Sequence, residues 1–112
     1  MDCINAIEGR RSIRKFTGQA VEMDVLKRLV RYASLAASGM NVQPLKYIIA
    51  SGDKADEIFP HTRWAGYLKG SGSPSFAERP YAFILVLGDL SLRKNGYELD
   101  AGAAIGNIQI AA

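Results

Sequence analysis

The chain has 112 residues, 48% hydrophobic and 22% charged, with a formal net charge of +3 and a pI near 9.2. Those totals exclude a two-domain protein and a disordered chain, and a positive balance this small suits an anionic ligand without arguing for nucleic acid. The lone cysteine, Cys3, excludes an internal disulfide and fits a reducing compartment. The first residues carry no signal-peptide core, and no apolar run reaches bilayer length. The expectation is therefore a cytoplasmic protein with no membrane partner.

Asp2 to Gly9 reads as a short helix. Asp2 can cap it, Ile4 and Ile7 give it an apolar face, and Gly9 can stop it. Arg10-Arg11-Ser12-Ile13-Arg14-Lys15-Phe16 follows as an irregular or extended stretch, closed by the turn pair Thr17-Gly18. It places four cations and one hydroxyl within seven residues. The arginine fork matches phosphate geometry, and the serine adds a neutral donor. Ile13 and Phe16 can serve as apolar pegs that aim the cations at one place. Two readings stand side by side, an anionic-cofactor site and a solvated basic patch.

Val21 to Ala37 predicts a helix. Val25, Leu26, Leu29, Val30, Ala33 and Ala36 recur at helical spacing, and Glu22 and Asp24 sit where the helix dipole favours them. Ser38-Gly39-Met40-Asn41-Val42-Gln43-Pro44 breaks it. Asn41 and Gln43 carry both donors and acceptors, the inventory for reading the polar edge of a flat heterocycle. The same loop also reads simply as a turn.

Lys46 to Ser51 predicts a strand, and Asp53 to Phe59 a brief helix capped by Asp53 and ended by Pro60. From His61 to Pro80 the pattern is poor, although Trp64 and Tyr67 are spaced for one helical turn. His61 has no carboxylate or cysteine placed to help it and reads as a surface residue. Tyr81 to Leu87 is a continuous apolar run and predicts a strand covered on both faces. Tyr97 to Ala112 predicts a helix that is uncharged after Asp100. Gly102 and Gly106 share one of its faces at a cost of about 1 kcal/mol each, which implies close packing of a ligand or another backbone there. The chain stops inside this apolar helix without capping signals. It is expected to be the N-terminal part of a larger domain, the alternative being a helix that docks on another subunit. No triad, carboxylate pair or metal-ligand set emerges, so no catalytic or metal-binding residue is assigned.

Three segments in this order and spacing resemble the nitroreductase family of FMN-dependent NAD(P)H oxidoreductases: Arg10 to Phe16, Ala37 to Pro44, and Asp100-Ala101-Gly102-Ala103-Ala104-Ile105. Arg63 to Leu68 and Glu78-Arg79-Pro80 are also similar to a loop of its smaller members. The resemblance implies an α+β fold, a mixed sheet flanked by helices, of which residues 1–112 form a single, incomplete domain. It implies an intertwined homodimer with FMN at the interface, NAD(P)H as electron donor, and nitroaromatic or quinone-like acceptors reduced in ping-pong turnover. By matching position, Arg10 and Ser12 would hold the phosphate and ribityl chain. Arg14 would lie near the pyrimidine edge, and Arg11 would contribute chiefly backbone. Ala37, Ser38, Gly39 and Asn41, with Gln43, would reach the FMN held by the other subunit. The same cofactor grip also serves an FMN store or sensor, and a dehalogenase or flavin-breakdown relative. A basic arm binding nucleic acid has no interleaved aromatic platform to support it.

Overall fold

The computed structural model describes residues 2–65 and 72–112. Its helices are α1 (Cys3–Gly9), α2 (Met23–Ser34), α3 (Asp53–Ile58) and α4 (Tyr97–Ala111), and its strands are β1 (Leu45–Ser51) and β2 (Ala82–Gly88). Single tight helical turns form at Gly39–Asn41, Phe59–His61 and Phe76–Glu78. The fold is α+β, as expected. The sheet is incomplete in this chain, also as expected: among the described residues it has two antiparallel strands, with Leu45 opposite Gly88 and Ser51 opposite Ala82.

Local chemistry accounts for most element ends. The Asp2 carboxylate accepts from the Asn5 N–H at 2.8 Å and starts α1. α2 is shorter than its periodicity predicts. Glu22 is extended (φ −64°, ψ 142°) and precedes the first turn, and Leu35 closes the last one. The predicted cap of α3 is corrected by one residue. Gly52, at φ 58°, takes the N-cap, and Asp53 lies inside the first turn. Pro60 does not simply end this helix. It sits at the start of the Phe59–His61 turn, where a missing N–H leaves no bond unmade. The helical turn expected around Trp64 and Tyr67 falls partly outside the described residues, and Trp64 itself lies in irregular backbone.

α2 packs against α4, and the Asn107 side-chain amide donates to the Tyr32 carbonyl at 2.9 Å. Leu26, Ala33, Ala50, Ala55 and Ala104 are buried, together with Pro44. β2 is not covered on both faces as its apolar run implied. It is half-buried, and Leu87 is 42% exposed, because it pairs with one strand and its faces carry only partial helical cover. Gly88 ends β2 where the Tyr97 ring crosses it, so close that a Cβ there would stand 2.9 Å from Tyr97 Cδ2.

The glycine face of α4 is the largest departure. A Cβ at Gly102 or Gly106 would meet nothing within 4 Å. The predicted close packing is therefore absent within the described chain. The Cα radius of gyration, 15.0 Å, exceeds the roughly 13 Å of a compact domain this long. On α4, Leu99 is 80% exposed. Among the described residues no helix is long and apolar enough to cross a membrane.

Candidate functional site

The basic stretch runs from the end of α1 without regular structure, anchored at Phe16. The Phe16 N–H donates to the Glu78 carbonyl at 2.9 Å, and its ring meets that of Trp64 at 6.0 Å between centroids. The Lys15 ammonium lies 3.8 Å from a Glu78 carboxylate oxygen. Only one of the two expected pegs turns inward. Ile13 is 63% exposed, while Phe16 and Arg14 are half-buried. Phe16 is held by its bond to the Glu78 carbonyl and by the Trp64 ring, whereas Ile13 stands on the wall of the open cavity beside the arginines.

Arg10, Arg11, Ser12 and Arg14 line one open cavity of about 1020 Å³, together with Arg63 and Trp64. The cations do not play equal parts. Arg11 folds back, its Nη1 donating to the carbonyls of Glu8 (2.9 Å) and Arg10 (2.8 Å), where α1 leaves acceptors without helical partners. Arg10 is exposed, and among the described residues nothing holds its guanidinium.

The second group forms around Ser38. The Ser38 hydroxyl donates to Asp100 Oδ2 at 2.6 Å and accepts from the Gln43 N–H at 3.0 Å. The Gly39 N–H donates to Asp100 Oδ1 at 3.3 Å, and the Gly39 carbonyl accepts from Arg93 Nη1 at 3.1 Å. Met40, Asn41 and Gln43 all take left-handed backbone, with φ of 54°, 56° and 54°. Asp100 is buried, 6% exposed. The Ser38 hydroxyl, and after it the Gly39 N–H, hold its carboxyl below the ordinary aspartate range. Ala37, Ser38 and Gln43 line a second cavity of about 240 Å³, with Tyr47, Asp100 and Ala104 also on its wall. Burial pushes the Tyr47 hydroxyl pKa up. Gly39 and Asn41 are exposed at the rim of the loop.

Of the sequence-predicted residues, Arg10, Arg11, Ser12 and Arg14 are thus gathered in one place, and the Ala37–Gln43 group in another. Among the described residues the two groups line separate cavities. Sequence reasoning missed four participants. Asp100 carried a visible signal, a single carboxylate opening an apolar run. Arg63 and Trp64 were noted only as part of a loop. Arg93 carried no signal, since nothing in its neighbourhood ties it to a residue 54 positions earlier.

The sequence model described as the nitroreductase family matches residues 7–69. No curated protein matches the chain. Among solved structures, a protein from Parabacteroides distasonis assigned as an NADH dehydrogenase/NAD(P)H nitroreductase superposes with a TM-score of 0.77 at 26% identity, over 98% of this chain and 61% of its own. A protein from Desulfovibrio desulfuricans assigned as a nitroreductase, solved in complex with FMN, gives 0.76 at 29% identity, over 100% and 62%. An FMN-dependent nitroreductase from Clostridium difficile gives 0.73 at 27% identity, over 96% and 58%. The chain therefore spans about three fifths of the length of these relatives. With more than half of its residues under the family model and its whole path shared with such structures, the chain belongs to the nitroreductase family.

Proposed function

We propose that residues 1–112 are the N-terminal part of an FMN-binding domain in an oxidoreductase. Its electrons come from NAD(P)H and go to nitroaromatic or quinone-like acceptors. One observation carries the reading: Arg10, Arg11, Ser12 and Arg14 converge on a single cavity large enough for a ring and its phosphorylated chain. The donor set fits FMN. A phosphate takes charge-assisted bonds from the exposed Arg10 guanidinium and a neutral bond from the Ser12 hydroxyl. Arg11 closes α1 with its side chain and offers backbone to the ligand. Arg14 brings positive charge to the ring side, and Trp64 offers an apolar wall. When bound, FMN supplies a ring that takes up hydride and releases electrons to an acceptor. A fixed cation beside that ring favours its reduced, anionic form.

A second copy of the chain completes the site in this reading. Ala37, Ser38, Gly39, Asn41 and Gln43 stand apart from the basic cavity of their own chain and meet the FMN of a partner. Two features support a homodimer: the separation of the two groups, and the uncovered face of α4 around Leu99, Gly102 and Gly106.

The test is spectroscopic. Full-length protein is expected to purify yellow, to be bleached by NADH or NADPH, and to recover its colour on adding a nitroaromatic or a quinone. A protein that stays colourless in excess FMN overturns the reading. A yellow protein that neither nucleotide bleaches is an FMN store or sensor.

A further inference from the structure

We propose that Asp100 and Arg93 are positioning residues for the flavin: together they clamp Gly39 so that Asn41 is presented to the ring held by a second copy. The inference rests on the flavin reading above. Gly39 is gripped at both of its backbone polar groups, its N–H by Asp100 Oδ1 and its carbonyl by Arg93 Nη1. Arg93 is itself fixed by a bond from Nε to the Asn95 carbonyl at 2.8 Å.

Two glycines make room for this guanidinium. A Cβ on Gly39 would stand 2.6 Å from Arg93 Nη1, and a Cβ on Gly96 would stand 2.9 Å from Nη2. Residues 39 and 96 are far apart in sequence, yet both lack a side chain where the same group passes.

The loop needs such a clamp. Met40, Asn41 and Gln43 hold left-handed backbone, which residues with side chains rarely adopt and which persists only where surroundings over-determine it. Asp100 adds a second hold through the Ser38 hydroxyl, and that hydroxyl also receives the Gln43 N–H. The bonds therefore bracket the strained residues on both sides. They also decide which side chain remains for recognition. The Ser38 hydroxyl is committed as a hydrogen-bond donor to Asp100. Asn41 is exposed, with amide donors and an acceptor to offer a heterocycle edge.

The experiment uses full-length protein, FMN titration by fluorescence, and hydrogen exchange of the Asn41 and Val42 amides. Arg93→Met is expected to raise the FMN dissociation constant about tenfold and to speed exchange at both amides, with the thermal midpoint retained. Arg93→Lys, which keeps a donor for the Gly39 carbonyl, is expected to recover part of that affinity. Asn41→Ala weakens FMN on its own. Combined with Arg93→Met it is expected to cost no more than the worse single change, because both act through one contact. Additive losses, or unchanged affinity in Arg93→Met, overturn the clamp while leaving the flavin reading intact. Wild-type protein that takes up no FMN overturns the flavin reading and the positioning role together. Asp100→Asn extends the series where it folds, and the Arg93 and Asn41 variants decide the matter where it does not.

Discussion

Ser38 and Asp100, 62 positions apart, are joined by a hydrogen bond of 2.6 Å from hydroxyl to carboxylate. It links the loop after α2 to the first turn of α4, so two segments singled out independently in the sequence meet in space. The bond also ties the fold to pH. Asp100 titrates below its ordinary value of 3.8, chiefly because of Ser38 and then of Gly39. A carboxylate whose folded pKa is depressed stabilises the fold fully above the unfolded pKa, and the contribution is lost as pH falls through the lower native value. Ser38→Ala is therefore expected to lower the denaturation midpoint at neutral pH, and the gap from wild type should narrow below about pH 4. A gap that stays constant from neutral pH into that acid range would show the hydroxyl bonded elsewhere.

The two adjacent arginines are expected to behave differently. Arg10→Ala should weaken FMN by about 1.5–3 kcal/mol, the range for a hydrogen bond to a charged group. Arg11→Ala should cost less affinity, because its guanidinium already serves the carbonyls at the end of α1. Titration of both variants with FMN checks the order, and a larger loss for Arg11 would reverse the assignment.

Gly88 is a second point where a missing side chain is used. The Tyr97 ring lies where its Cβ would be. Gly88→Ala should destabilise by about 1–3 kcal/mol, the usual cost of overpacking, by pushing Tyr97 and the start of α4 away from β2. Urea denaturation measures this, and a neutral result would mean that the ring moves aside freely.

The opposite holds on α4. Gly102→Ala and Gly106→Ala meet nothing among the described residues, so each should stabilise a monomer by about 1 kcal/mol through helix propensity. If a second copy packs on that face, the same changes should instead weaken association. Sedimentation and denaturation measured on the same variants separate the two effects. Stabilised variants that associate as before would place the subunit contact elsewhere.

Much of the local architecture was readable without coordinates. Asp2 as a cap, the apolar periodicity of α2 and the β-branched run of β1 each depend on neighbours within a few residues. The failures have a common origin. Ile13 and Phe16 look like equal pegs by residue type, yet only Phe16 meets the Glu78 carbonyl and the Trp64 ring that hold it. Asp53 looked like a cap because its side chain suits one, yet Gly52 supplies the φ of 58° that the turn requires. The apolar run of β2 promised burial on two faces, but burial depends on what other elements supply.

Sequence alone determined the family signature, the clustering of cations at Arg10 to Lys15 and the order of helices and strands. All of these follow from residue type and short-range spacing. Only the tertiary structure decided that Arg11 turns back on α1 while Arg10 is exposed, and that the cationic group and the Ser38 loop line separate cavities. It also revealed that Asp100 and Arg93 hold Gly39 between them. Hydrogen bonds across 54 to 62 residues depend on how helices and strands pack, and no local pattern encodes that packing.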